Sequence, residues 1–221
     1  MRRFDFPRCL AWILACLLCA LPLRLFAADP AAGRSVLLIA AETMQDPRFR
    51  QSVVLVTRHG RSQATIGVIV NRALDASLDK MFPQARLAAS HRLHYGGPVA
   101  PWQTVFLVRS EIAPAAAILL AERLFLSSDR DSLLKLLGAP LQATQLRVFS
   151  GFASWAENQL EGEIDRGDWY LLPVDAEALL TEPLDELWPK LWRRATQVMV
   201  QAPRLDPTPG RIEAAASRVR R

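Results

Sequence analysis

"SVVLVTRHGRSQATIGVIVN", residues 52–71, sets two β-branched runs, 52–59 and 64–71, on either side of Gly60-Arg61-Ser62-Gln63. Valine, isoleucine and threonine are stiff at χ1 and fit a pleated surface, and a short polar connection containing glycine lets two such runs pair. The stretch therefore reads as a β-hairpin with His59 exposed in its turn. A hairpin cannot stand alone, so the flanking sequence must supply the rest of a sheet. "SVLLIAAE" (35–42) alternates too weakly to face water on one side and reads as a buried strand. "TVFLVRS" (104–110), "QLRVFSG" (145–151) and "DWYLLPVD" (168–175) read as further strands, the last ended by Pro173, and "RLHYGG" (92–97) as strand into turn.

Helix signals fall between these runs. Ser77 precedes "LDKMF", a short helix limited by Pro83, and Ser127 or Ser128 caps a helix in "SSDRDSLLKLLG" that stops at Gly138. Asp175 caps "AEALL", and Thr181 opens "EPLDELWPKLWRRATQVMV", where Pro189 either kinks one helix or begins a second. Between the first two strands, "TMQDPRFRQ" turns on Asp46-Pro47. Strands outnumber helices and occur in hairpin-like pairs as well as beside helices, which predicts an α+β fold with a mixed sheet.

The chain opens with the basic "MRRFDFPR", continues through an apolar run from Cys9 to Leu21, and leaves by "PLRLFAADPAAG". That is the layout of a secretory signal peptide. The apolar run is thirteen residues, short of the roughly 20 that span a bilayer, so cleavage is expected rather than a permanent membrane anchor. The cut is placed after Ala27, with Ala28 nearly as good, and a faint lipoprotein box at Ile13 to Cys16 is the weaker alternative. Cys9, Cys16 and Cys19 all lie inside the segment, so a processed chain would have no disulfide, catalytic thiolate or cysteine metal site. The formal net charge is +5, but the signal carries Arg2, Arg3, Arg8 and Arg24 against Asp5. Much of the remaining excess sits in "APRLDPTPGRIEAAASRVRR", leaving a body that is not basic and is a poor nucleic-acid surface. The expected organisation is a signal peptide (1–27), a linker (28–34), one domain (35–200) and an arginine-rich tail (201–221), with periplasmic or secreted localisation.

Chemistry-bearing residues are sparse. "SGFASWAENQLEGEIDRGDWYL" (150–171) packs five carboxylates with Trp155, Gln159 and Trp169. Read as a helix over 154–166, it has Ser154 and Glu157 as a capping box, Ala156, Leu160 and Ile164 on the packed face, and Gly167 as its stop. Glu161 and Asp165 then face water, the two tryptophans are core aromatics, and Gln159 and Glu163 are left at the edge of the apolar stripe. A half-buried Glu163 suits either a general acid or base or, more commonly, a partner for an arginine. His91 and His94 are spaced for two metal ligands on a helix, but they stand in a strand-into-turn sequence, and no metal or cofactor is expected. A hydrolase would use Ser154 as nucleophile, His94 as base and the Gly96-Gly97 amides as an oxyanion hole, yet "GFASW" is not the G-x-S-x-G elbow.

Four pieces in register resemble the YqgE/AlgH family. They are D-P-x-F-x-x-S-V at Asp46 to Val53, V-N-R at Val70 to Arg72, G-G-P-V at Gly96 to Val99, and S-W-x-x-x-Q-L-E-x-E-I at Ser154 to Ile164, within a likeness covering nearly all of 35–195. The resemblance implies a single domain whose mixed sheet curls into a pseudo-barrel with flanking helices. It implies no catalytic residues, and one branch has been linked to regulation of alginate production. The family's recurrent polar positions match Asp46, Asn71, Arg72, Gly96, Gly97, Gln159, Glu161 and Glu163, which become the candidates for a shared surface or a polar network. The chain departs from the family pattern in having Glu42 where a proline is usual, and in its export signal. The expectation is an exported protein that binds a protein or envelope component. The alternatives are a Ser154 hydrolase, or a cytoplasmic transcriptional regulator if the signal is not used.

Overall fold

The computed structural model describes residues 35–58, 65–83, 87, 91–141 and 145–201. The expected signal peptide and linker, the stretch 59–64 where a turn with His59 is expected, and residues 202–221 of the expected tail lie outside the described residues. Ten strands form one sheet: β1 (Ser35–Ala40), β2 (Val53–Arg58), β3 (Thr65–Ile69), β4 (Ala73–Ser77), β5 (Arg92–Tyr95), β6 (Val99–Arg109), β7 (Ile118–Ala121), β8 (Leu124–Ser127), β9 (Leu146–Trp155) and β10 (Trp169–Pro173). The helices are α1 (Leu78–Met81), α2 (Arg130–Leu137), α3 (Gln159–Asp165), α4 (Ala176–Thr181) and α5 (Leu184–Gln201). The strand order is β10-β1-β2-β3-β9-β6-β8-β7, with β4 and β5 attached to β9, and the sheet curls into a half-barrel with flanking helices. Among the described residues every pairing is antiparallel except β5 with β9, so the sheet is mixed, as expected.

The hairpin that opened the reading is β2–β3, with Val54 opposite Ile69 and Arg58 opposite Thr65. The weak alternation of β1 has a direct cause: both of its faces are covered. Leu37 and Ile39 pack with Leu179, Leu187 and Leu191 of α4 and α5, while Val36 and Leu38 pack on the other side with Trp155, Leu160 and Trp169. A third cluster, around Phe106, Val148, Leu133 and Leu137, joins the β5, β6 and β9 half of the sheet to α1 and α2.

Strand β9 holds the two halves together. Residues Val148 to Ser150 run parallel to Leu93 to Tyr95 of β5, whereas Ala153 to Trp155 pair with Gly67 to Thr65 of β3. The neighbour changes at Gly151, whose φ of +71° belongs to the left-handed region. There the chain leaving β5 passes against β9. The Gly96 amide donates to the Ser150 carbonyl at 2.9 Å, and the Ile69 amide donates to the Gly96 carbonyl at 2.8 Å. A Cβ on Gly96 would lie 2.2 Å from the Gly151 oxygen, and one on Gly151 would lie 2.6 Å from the Gly97 oxygen. Only backbones without side chains make this crossing.

Several local expectations shift. "QLRVFSG" does not end at Gly151 but continues as strand to Trp155, which moves the start of the following helix to Gln159. The cap of α2 is Asp129, whose Oδ1 accepts the Ser132 amide at 2.8 Å. Ser127 is unavailable for that task, because its hydroxyl donates to the Ala115 carbonyl and accepts from the Asp129 amide. Asp175 does cap α4, accepting the Ala178 amide at 3.0 Å. Pro189 lies inside α5 and begins no second helix. The β7–β8 hairpin turns on Glu122-Arg123 rather than a glycine or asparagine pair, so its sequence signal is weak.

His94 is buried beside the crossing, its ring 5.6 Å from that of Phe149. Its Nδ1 lies 3.2 Å from the Val148 carbonyl, which only accepts, so the neutral ring carries its proton on Nδ1. Burial, with the nearby charges of Arg147 and Arg92, depresses its pKa to about 4 against the pull of the Val148 bond. The folded form thus stays neutral while the unfolded chain protonates near 6.5.

Two outcomes follow from this architecture. Gly151→Ala should lower stability by roughly 3–5 kcal/mol, combining left-handed strain with a backbone clash, measured by urea unfolding. For His94, stability should fall as pH drops from about 6.5 to about 4 and then level, a contribution of up to about 3 kcal/mol. Urea midpoints at several pH values should show His94→Gln losing that part of the slope.

Candidate functional site

Four separate segments converge on one cleft of about 480 Å³. The loop after β1 contributes Met44, Gln45, Asp46, Arg48 and Phe49, and the turn into β6 contributes Pro98 and Val99. The end of β9 brings Ser154 and Trp155, and α3 with the following turn brings Gln159, Glu163, Arg166, Asp168 and Trp169.

The centre of this site is Glu163. Its Oε2 accepts the indole N–H of Trp155 at 2.8 Å and that of Trp169 at 2.9 Å, and its Oε1 accepts the Gln159 side-chain amide at 3.0 Å. The expected arginine partner is replaced by two indoles. Both rings are buried, and a buried indole N–H needs an acceptor. Trp155 and Trp169 meet edge to face at 6.3 Å, and Phe49 closes the cluster 6.0 Å from Trp155 and 5.5 Å from Trp169.

The capping box expected from Ser154 and Glu157 is not formed, because Ser154 belongs to β9 and pairs with Ile66. Its task passes two residues along. Gln159 Oε1 accepts the Ala156 amide at 3.1 Å while the Gln159 amide donates to the Ala156 carbonyl, also at 3.1 Å. Ala156 is consequently exposed rather than packed, while Leu160 is buried and Gly167, at φ +82°, follows the helix end as expected.

Asp46 opens the loop that forms one wall. Its Oδ1 accepts the Arg48 amide at 2.9 Å, and its carbonyl accepts the amides of Phe49 and Arg50. The Arg48 guanidinium completes the turn, 2.6 Å from Oδ2, and this hydrogen bond is the main reason the Asp46 carboxyl lies below its ordinary pKa. The loop is clamped from behind by the V-N-R piece. Asn71 accepts the Val53 amide and donates to the Gln51 carbonyl, both at 2.9 Å, and Arg72 donates to the carbonyls of Arg48 and Arg50 at 2.5 and 2.7 Å. Burial lowers the Arg72 pKa.

Of the eight candidate positions, Asp46, Gln159 and Glu163 line the cleft. Asn71 and Arg72 support its wall, Gly96 and Gly97 form the strand crossing just before Pro98, and Glu161 is half-buried on α3 outside the lining. Residues not anticipated are Arg48, Phe49, Arg166 and Asp168; Arg166 donates to Asp168 at 2.8 Å, forming a second rim ion pair.

The hydrolase constellation does not assemble. His94 pairs with Phe149 and Ser154 lies five positions further along β9, roughly 16 Å at about 3.3 Å per residue. The Gly96 amide is already bonded to Ser150. Among the described residues no group of three histidines, cysteines or carboxylates could hold a metal ion.

Comparison with known proteins places this geometry among relatives. A family model described as AlgH-like matches residues 37–199. A UPF0301 protein from Mycolicibacterium vanbaalenii is 34% identical over 178 residues, covering 75% of this chain and 85% of the relative. The crystal structure of a Corynebacterium diphtheriae protein superposes with TM-score 0.60 at 27% identity, over 85% of this chain and 92% of that one. The solution structure of the AlgH protein from Pseudomonas aeruginosa superposes with TM-score 0.61 at 25% identity, over 80% and 98%.

Removing the Glu163 acceptor should unsettle the cluster. Glu163→Ala leaves two buried indole donors unpaired and should cost about 2–4 kcal/mol. Glu163→Gln keeps an acceptor oxygen for the indoles but sets an amide against Gln159, and should cost about half as much. Urea unfolding followed by tryptophan emission checks both, and equal losses would count against the indole bonds.

Proposed function

The chain belongs to the AlgH-like family, and from that premise we propose that it is an exported, non-catalytic binding protein whose cleft recognises a protein or another component of the cell envelope. The observation that carries this reading is the occupation of Glu163. A carboxylate acting as general acid or base needs a free oxygen facing substrate, whereas both oxygens of Glu163 hold N–H donors that fix the floor of the cleft. Asp46 and Asp168 are likewise paired with Arg48 and Arg166. What the cleft offers is a preformed shape with exposed guanidinium groups: the Arg48 and Arg166 side chains are 59% and 64% exposed. Exposed ion pairs contribute little to stability and exchange readily, so a partner's carboxylates or carbonyls can take over those donors. The apolar run and exit sequence at the N-terminus support export.

Fractionation and N-terminal sequencing test the compartment: a periplasmic chain starting at Ala28 is expected, and an uncleaved cytoplasmic chain overturns export. Periplasmic pull-down tests the activity. Arg48→Ala with Arg166→Ala should reduce partner retention about 10-fold, and Asp131→Asn, exposed on α2 and outside the cleft lining, should leave it unchanged. Failure to retain any partner, together with ester or peptide hydrolysis abolished by Ser154→Ala, would sink the binding reading.

A further inference from the structure

A second surface lies on the other side of the start of β6. Val99 pairs with Phe152 and Thr104 with Ser150, so the six residues 99–104 of β6 face the three residues 150–152 of β9 and the surplus is pushed out as a bulge. Trp102 sits on this bulge and is 82% exposed, against 3% for Trp155 and Trp169. The bulge is held firmly: the Ser150 hydroxyl donates to the Pro101 carbonyl at 2.5 Å, Ala100 has φ +43°, and Gly151 lies against Pro101. A large indole is thus offered to solvent on a braced backbone, which limits the ordering cost of burying it.

Next to it is an apolar groove of about 250 Å³, lined by Ile66, Val105, Ile118 and Phe152, with exposed Gln103 and Ser128 beside them. An apolar cavity of about 150 Å³ holds a benzene, so this one has room for an indole. Trp102 does not fill it. Its ring is 82% exposed and is not among the residues lining the groove, although its neighbour Gln103 is.

We propose that the groove receives Trp102 from a second copy of this chain, so that the protein self-associates by exchanging indoles between bulge and groove. Anchor and receptor occur together on one chain, which makes the surface self-complementary. An inserted tryptophan buries about 200 Å² of its own surface and a comparable area of wall. Two reciprocal contacts then cover roughly 800 Å², short of the ~1,200 Å² at the low end of stable interfaces. The bulge and groove rims must supply the remainder, so the dimer is reversible.

Sedimentation of the purified protein over a range of concentrations tests this. A mass rising toward two copies is expected, weakened at least about 10-fold by Trp102→Ala or by Ser128→Trp, which blocks the groove from an exposed position. Both variants alter exposed residues, and matching unfolding midpoints check that they fold. The decisive measurement mixes the two variants. Each alone has lost both contacts, whereas a mixed pair regains one, so the mixture should associate more strongly than either component. A wild type that remains monomeric, a Trp102→Ala variant that associates normally, or a mixture no stronger than its parts overturns the proposal.

Discussion

Two backbones touch where β5 ends and β9 changes its neighbour, and the rest of the molecule is arranged around that contact. A strand flanked first by β5 and then by β3 must pass from one partner to the other without leaving buried amides unpaired. Gly96 meets the requirement with both of its backbone groups, donating to Ser150 and accepting from Ile69. The approach excludes a Cβ at Gly96, Gly97 or Gly151. Because β9 is also the antiparallel partner of β6, this one crossing fixes the relation between the two halves of the half-barrel.

The cleft is built downstream of the same point. Four residues beyond Gly151, β9 delivers Trp155, and the short α3 returns the chain so that Glu163 reaches that indole and the one at the start of β10. The carboxylate therefore ties β9, α3 and β10 together. On the opposite wall, Asn71 and Arg72 follow β3 and seize the carbonyls and amide of the 48–53 segment. Both walls are positioned by side chains bonding to backbone or to indole N–H, which are partners fixed in place by the sheet.

Much of this fold was legible because its causes are local. The β2–β3 hairpin follows from β-branched runs, the buried β1 from its missing alternation, the α4 cap from Asp175, and the end of α3 from Gly167. The misreadings share a different cause. A strand over 146–155 and a helix over 154–166 compete for Ser154, and the pairing of Ser154 with Ile66, distant in sequence, decides for the strand. Ser127 loses its capping role to a contact with Ala115 across a loop. The candidate polar residues were identified by family pattern, and the chain alone carried no sign that they divide into cleft floor, loop clamp and strand crossing. Phe49 and Arg166 enter the cleft only through tertiary proximity.

The start of β6 ties the crossing to both surfaces. Pro98 and Val99 face the polar cleft, Gln103 lines the apolar groove, and Trp102 stands exposed between them. A movement of the 98–103 segment would disturb both at once. The Pro101–Ser150 hydrogen bond and the close packing at Gly151 oppose such movement. The glycine pair that the sequence presents as a possible oxyanion hole acts instead as the anchorage of this segment. What it contributes is rigidity: under the proposed binding roles, recognition at either surface loses less entropy when the backbone carrying it is already ordered.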